Sequence, residues 1–594
     1  MGKAEEGAME VTMEETVEGA AMEEAREVTM EEAEEGAMEM AMEATLKVKE
    51  KKWWHNKVVY QIYPRSFYDS NQDGIGDLKG ICEKIPYLKE LGVEIIWLCP
   101  VYQSPNDDNG YDISDYYNIM AEFGTMEDMQ ILIDECSRNN ISIMMDLVLN
   151  HSSDEHPWFQ EARKSKDNPY RDYYIWRDGA DGREPTDFQA FFGGSAWEYT
   201  EETGQYYLHT FSKKQPDLNW ENPKMKSSLF AMVNFWIEKG IRRFRLDAID
   251  YISKDLDNNI MGNGPRLHEF LSELNRNTYG KRADTVTVGE TGGNNPLTAR
   301  MYTKPEHHEL DMIFQFGIID LDGVRSGDWS PKPYTLKDIK EVLEKWQGKL
   351  EPDELEGLVL NNHDNPRSVS RYVSNNPQFR IAGAKMLATM LHGLKGVPFI
   401  YQGEELGMTN IKFSDISDYR DIETLNFYYR KATEGWTEEK IMEYIYRNSR
   451  DNARTPMQWD DSKHAGFTKA EPWISVNPYY KDIHVKQCLE DHTSVFYHYQ
   501  KLIRMRKDNE VLVYGDFRMI CTEDEKVLAY VRTLRDKRLI IVCNFYEEET
   551  QINIQNYGTG KVLLSNYPGT QTDLSRLKLR PYEAVIFQVE TVSL

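Results

Sequence analysis

The residues with the chemistry to break a bond lie at the ends of segments that read as β-strands. In Gly240-Ile-Arg-Arg-Phe-Arg-Leu-Asp-Ala-Ile-Asp250, period two puts Arg243, Arg245 and Asp247 on one face and Phe244, Leu246 and Ala248 on the other. A guanidinium and a carboxylate on one face of a buried strand must solvate each other or a ligand. The stretch is therefore a structural ion pair or the rim of an active site. Other strand-like segments end in the same way: Asp146 with Asn150-His151 beyond it, then Glu290, then Asn361-Asn-His-Asp-Asn-Pro-Arg367. No HxH or HExxH pattern accompanies them, which disfavours a catalytic transition metal, and no phosphate loop or nucleophile elbow is present. Carboxylates among aromatics suit glycosidic-bond chemistry. One carboxylate attacks the anomeric carbon, and a second group protonates the leaving oxygen and later deprotonates water. A cation such as Arg245 beside Asp247 favours its ionised form.

The elements that must position these groups alternate strand and helix. Strands are predicted over 58–63, 93–98, 141–147, the Arg243–Asp247 stretch, 285–289, 311–315, 358–360 and 397–401, with helices over 81–91, 126–139 and 225–239 between them. Eight such units point to an α/β fold, a (β/α)8 TIM barrel, whose reactive residues sit on the loops after the strands. An irregular stretch over 152–222 follows the third strand as a small inserted domain. The short alternating runs near the C-terminus read as an antiparallel β-sandwich. The expected organisation is an acidic tail over 1–45, the barrel over 46–151 and 223–509, the insertion over 152–222, and the C-terminal β-sandwich domain over 510–594.

Composition excludes several classes. The chain has 594 residues, 40% of them hydrophobic, and a formal net charge of −29, which argues against nucleic acid or an anionic membrane as a partner. Fifteen Glu against Lys3 and Arg26 concentrate about −13 of that charge in residues 1–45, where Val11-Thr-Met-Glu-Glu15 recurs as Val28-Thr-Met-Glu-Glu32. That composition predicts a solvated, partly helical tail, with a partner-binding arm as the alternative. No membrane span or secretion signal is legible, and the six cysteines lack metal or redox spacing, so a soluble cytoplasmic protein without disulfides is expected. A monomer is the expected state, with a dimer as the alternative.

From about Trp53 onward the chain resembles glycoside hydrolase family 13, the α-amylase family, and within it the oligo-1,6-glucosidase and α-glucosidase group. The resemblance rests on Asp146-Leu-Val-Leu-Asn-His151, Gln215-Pro-Asp-Leu-Asn219, Phe244-Arg-Leu-Asp247, Val288-Gly-Glu290, Asn362-His-Asp364 and Gly396-Val-Pro-Phe-Ile-Tyr-Gln-Gly-Glu-Glu405, in that order. It implies Asp247 as nucleophile, Glu290 as general acid/base and Asp364 as transition-state stabiliser. It further implies His151, Arg245 and His363 around the glucosyl unit, and Asp108 and Tyr111 closing the pocket and stacking on the sugar. Arg450 would pair with Asp108 and limit attack to the non-reducing end, although Arg454 lies near enough in sequence to be confused with it. Oligosaccharide is the implied partner and no organic cofactor is implied.

Asp69-Ser-Asn-Gln-Asp-Gly-Ile-Gly-Asp77 offers oxygens at Asp69, Asn71, Asp73, the Ile75 carbonyl and Asp77, with Gly74 for the sharp turn. It resembles the family's single-ion loop, which implies one structural Ca²⁺. The alternative is an acidic turn that binds nothing.

Two features depart from the group's pattern. Arg243 stands where glycine is common and is expected to need an anionic partner from a neighbouring strand. The segment between Ile252 and Pro265 is shorter than in typical members. Ala248, where a valine goes with strict α-1,6 preference in relatives, implies action on α-1,4 as well as α-1,6 bonds. The expected activity is a retaining exo-α-glucosidase on isomaltose, isomalto- and malto-oligosaccharides and possibly sucrose. Trehalose-6-phosphate hydrolysis and sucrose isomerisation or transglucosylation stay open on the same scaffold. A non-catalytic transporter-associated subunit is the remote alternative.

Overall fold

The computed structural model describes residues 51–180, 183–323, 329–351, 354–374 and 376–589. The tail assigned to 1–45 lies outside them. Eight parallel strands close a barrel: β1 (Val59–Ile62), β2 (Ile95–Leu98), β3 (Ser142–Val148), β4 (Arg243–Asp247), β5 (Val286–Gly289), β6 (Met312–Gln315), β7 (Gly357–Leu358) and β8 (Val397–Tyr401). Each pairs with its neighbours in sequence, and β8 meets β1 with Phe399 opposite Val59 and Ile400 opposite Tyr60. Val59, Ile95, Trp97, Val288, Phe314 and Phe399 share the interior cluster, while the alternate residues Tyr60, Ile96, Leu246 and Ile400 pack outward under the helices. Burial on both faces explains why these strands read as nearly unbroken apolar runs.

The helices begin and end where side chains satisfy their free backbone groups. Pro223–Lys239 starts at Asn222, whose side chain accepts from the Lys224 and Met225 amides, and stops at Gly240 at φ 111°, a left-handed conformation that glycine adopts without strain. This cap delivers the chain into β4. The helix expected over 81–91 is instead two, Leu78–Glu83 and Ile85–Leu91. Pro86 has no N–H to continue the first helix, so the second starts afresh there.

Residues 152–222 carry the helix Pro157–Ala162 and an antiparallel sheet of Trp176–Arg177, Gln205–Leu208 and Trp197–Thr200. They return to the barrel where His151 bridges Asp217 and the Leu218 amide donates to the Asn150 carbonyl at 2.8 Å. A second long connection follows β8, with the helices Ile422–Thr433 and Glu438–Asn448 around their own apolar cluster. At the C-terminus an antiparallel five-stranded sheet shares a core with the pair Thr550–Ile552 and Leu577–Leu579. Lys340 on the helix Leu336–Gln347 fastens this part to the barrel by donating to the Cys521 carbonyl at 2.6 Å.

Arg243 qualifies an expectation. Among the described residues no carboxylate makes a close ion pair with it; the Asp284 charge just before β5 acts on it at longer range, its guanidinium lies over the Trp53 ring at 4.4 Å, and Nε has no hydrogen-bond partner. Being the first residue of β4, it lies at the N-terminal mouth of the barrel, where an aromatic face makes the close contact and the carboxylate stands farther off.

Candidate active site

Strand register assembles the site. Asp146 of β3 lies opposite Arg245 of β4, and Val148 opposite Asp247, while β5 runs into Glu290 beside them. Arg245 Nη1 donates to Asp146 Oδ1 and to Asp247 Oδ1, each at 2.7 Å, and Nη2 donates to Glu290. The guanidinium is fully buried and sits 5.0 Å from the Trp97 ring centroid. Asp146 also accepts from Trp97 Nε1 at 3.1 Å and the Tyr111 hydroxyl at 3.0 Å. One cation is thus shared by three carboxylates, an arrangement that keeps a buried charge compensated. Burial pushes the Asp247 carboxyl above the usual range; Arg245 opposes this, and Glu290 and Asp146 add to it. Arg245 therefore favours ionised Asp247, as expected, but burial outweighs it.

Asp364 is in the opposite situation. Burial would raise its carboxyl, but His363, Arg450 and Arg454 outweigh that and hold it below the usual range. Arg454 Nη2 donates to Asp364 Oδ1 at 2.7 Å, and His363 Nε2 lies 3.0 Å from Asp364 Oδ2. The two arginines are distinct: Arg450 Nη2 reaches Asp108 Oδ1 at 3.0 Å, whereas Arg454 Nε holds the His363 carbonyl at 2.9 Å. Tyr111 stacks on the His363 ring at 5.2 Å with 7° between planes. Gln215 Nε2 donates to Asp108 Oδ2 at 3.1 Å and lies 3.1 Å from His151 Nε2, tying those two positions together.

These groups surround a cavity of about 430 Å³, and Asp108, Tyr111, His151, Asp247, Glu290, Asp364 and Arg450 line it. Arg245 and His363 lie beneath that lining, buried against the carboxylates rather than facing the cavity. Further wall residues were not singled out from sequence: Phe191, Phe192, Phe211, Tyr251 and Trp329 supply aromatic surface, and Glu423 lies near Arg450. The pair Phe191-Phe192 before Gly193-Gly194 was the available signal. Asp421, which accepts from Arg450 Nε at 2.8 Å, carries none.

The loop at 69–77 has the all-oxygen donor chemistry of a hard-cation site. Its end carboxylates are engaged by the protein itself: Asp69 accepts from the Gln72 and Gly74 amides and the Thr468 hydroxyl, and Asp77 accepts from Ser70 and caps the helix Leu78–Glu83 through the Gly80 amide. Asn71 and Asp73 bond to one another at 3.1 Å on the exposed side. Among the described residues no three Asp, Glu, His or Cys side chains converge on a metal-sized point. Asn71 Oδ1 and Asp73 Oδ1 also accept from the Asp73 and Ile75 amides, so a cation would share these oxygens with backbone donors.

The alpha-amylase catalytic domain family matches residues 61–515. The chain belongs to the α-amylase family of glycoside hydrolases. The C-terminal domain of alpha-amylase SusG matches residues 527–586. Over 560 residues, covering 91% of this chain and 99% of the relative, the sequence is 52% identical to an oligo-1,6-glucosidase of Parageobacillus thermoglucosidasius. The crystal structure of a Bacillus licheniformis trehalose-6-phosphate hydrolase is similar at a TM-score of 0.86 and 44% identity, covering 91% of this chain and 100% of that one. An isomaltulose synthase variant from Erwinia rhapontici, solved with its substrate sucrose, matches at a TM-score of 0.88 and 41% identity with the same coverage.

Proposed function

We propose that this hydrolase is a retaining, exo-acting α-glucosidase that removes terminal glucose from short α-1,6-linked and α-1,4-linked oligosaccharides. The observation that carries the reading is the Asp108–Arg450 contact on the wall of a cavity that also gathers Asp247, Glu290 and Asp364. A cavity closed one sugar beyond the carboxylates admits a chain end rather than a chain middle.

In this reading the Asp247 carboxylate attacks the anomeric carbon as Glu290 donates its proton to the glycosidic oxygen. The carbon–oxygen bond breaks and the leaving sugar departs. The Glu290 carboxylate then takes a proton from water, whose oxygen displaces Asp247 and restores the original anomeric configuration. Arg245 contacts both carboxylates and sets their geometry. Asp364, held anionic among Arg450 and Arg454, supplies negative charge toward the oxocarbenium-like transition state. The 52% identity with an oligo-1,6-glucosidase supports α-1,6 linkage as the preferred bond.

Product analysis with isomaltose, maltose, sucrose and trehalose-6-phosphate tests the substrate. Isomaltose is expected to be cleaved fastest, with α-glucose as the first anomer seen by NMR. Preferential cleavage of trehalose-6-phosphate, or conversion of sucrose to an isomer, would replace the reading with one of its neighbours. Asp247→Asn is expected to abolish turnover in a folded protein.

A structural Ca²⁺ at 69–77 is part of the same proposal, supported by the oxygen-only donors of Asp69, Asn71, Asp73, Ile75 and Asp77. Metal analysis of the purified protein, with and without chelator, tests it. Cytoplasmic residence is likewise proposed, supported by six free cysteines and by the finding that no described helix is long and apolar enough to cross a membrane.

A further inference from the structure

Lys254 lies in the segment between Ile252 and Pro265, outside every motif named above, and its side chain is 4% exposed. A buried ammonium has three protons to place, and each unplaced one is costly. All three have acceptors here, on three different segments. Nζ donates to the Tyr251 carbonyl in the turn after β4, to Asn150 Oδ1 beyond β3, and lies 3.1 Å from Asp217 Oδ2 on the segment returning from the insertion; the Asn150 contact is 2.8 Å.

The contact with Asn150 fixes which way that amide faces. With its oxygen committed to the ammonium, Asn150 presents Nδ2 to Asp217 Oδ1 at 3.2 Å and to His151 Nδ1 at 3.3 Å. Asp217 in turn accepts from the Thr210 amide and hydroxyl, which anchors the insertion at the same point. On its other edge the His151 ring faces Gln215 Nε2. Each ring nitrogen has an amide N–H in reach, and the ring also hydrogen-bonds the Tyr111 backbone; the neutral ring accepts at one nitrogen and donates from the other, and these two amides disfavour a second ring proton. Burial pushes His151 down to about 4; Asp217 opposes this and the Lys254 charge adds to it. Tyr251, whose carbonyl Lys254 also holds, lines the cavity beside Phe211, the ring that also packs on His151.

We propose that Lys254 is a positioning residue for glucose recognition: through Asn150 and Asp217 it orients the neutral His151 ring and locks it to the turn that follows Asp247. The inference rests on the cavity being the glucose site. Lys254 does not line the cavity itself, so its effect must pass through the lining residues it holds, and the path through Asn150 leads to His151.

The test is competitive inhibition by glucose, with turnover of p-nitrophenyl α-glucoside, in Lys254→Met, which keeps length and removes the ammonium. Glucose Ki and KM are expected to rise about tenfold, the worth of one charge-assisted hydrogen bond, while kcat changes by less than about threefold. In a His151→Ala background the same substitution is expected to add less than about twofold, because the two act through one path. An unchanged Ki in Lys254→Met, or an effect that adds in full to His151→Ala, overturns the proposal and leaves Lys254 a purely structural clamp. Should Lys254→Met not fold, Asn150→Asp cuts the same path by removing the N–H that faces His151. It is held to the same tenfold and twofold outcomes. Absence of glucosidase activity in the unmodified protein would sink the parent reading, a result distinct from any of these.

Discussion

Arg450 Nη2 lies 3.0 Å from Asp108 Oδ1 across 342 residues of chain, and the same guanidinium donates to Asp421 Oδ1 at 2.8 Å. Asp108→Ala therefore leaves Arg450 paired with Asp421 and Asp364, so the fold is expected to survive. The pocket loses its closing wall and the substrate its hydrogen-bond partner. A loss of about 10²-fold in kcat/KM on isomaltose is expected, the size of a buried charged contact. Steady-state kinetics check it, and a loss below about threefold would mean that the bridge does not bound the glucose site.

Arg245→Lys keeps a positive charge but cannot spread it over three carboxylates, since an ammonium is a point charge on a flexible stem. Because Arg245 is the strongest influence opposing protonation of Asp247, weakening it leaves Asp247 protonated to higher pH. A group that must be ionised to act then fails earlier as pH falls. The acid limb of kcat/KM is expected to move to higher pH, with kcat down by roughly 10³-fold. A pH–rate profile with an unmoved acid limb would contradict the assignment of Asp247 as the nucleophile under Arg245's influence.

Ala248 follows Asp247 at φ 40° and ψ 43°, and it lines the cavity. A β-branched residue at positive φ is strained, so Ala248→Val acts twice: it narrows the leaving-group side and strains the backbone beside the nucleophile. Turnover of maltose is expected to fall relative to isomaltose by about fivefold or more, with both rates reduced by the strain. The ratio of the two kcat/KM values is the measurement, and an unchanged ratio would sink the assignment of linkage choice to this position.

What could be read from the sequence follows from what each feature depends on. The eight strands were legible because a strand buried on both faces must be apolar along its length, and Asp247, Glu290 and Asp364 because a charge ending such a run has few structural excuses. Arg243 is read only in part by the same period-two rule. The rule gives the face of a strand but not the height along the barrel, and at the first residue of β4 the close contact is Trp53, with the Asp284 carboxylate before β5 acting only at longer range. Asp421, Phe211 and Trp329 had no local pattern because nothing in their own segments requires them; they meet the site only after the long connections fold back. Lys254 belongs with them: in sequence it is one lysine in a loop, and only its three acceptors give it a role.

His392, on the helix Arg380–His392, is 1% exposed, and neither ring nitrogen has a hydrogen-bond partner among the described residues. Burial, with a smaller contribution from Arg506, pushes its pKa down to about 3. The sign of the linkage follows. Above the unfolded value of about 6.5 both states are neutral, and His392 costs only its unmet hydrogen bonds. As pH falls below that value the unfolded chain takes up a proton that the folded chain refuses, so stability is lost progressively until pH reaches the folded pKa. His392→Leu removes both costs. The variant is expected to be more stable than the parent by about 1–3 kcal/mol at pH 7.5. Its advantage should grow by about 1.4 kcal/mol per pH unit as pH falls below about 6.5. Urea unfolding at pH 7.5 and pH 5.5 measures the difference, and an advantage that does not widen at the lower pH would show that His392 is protonated in the folded protein.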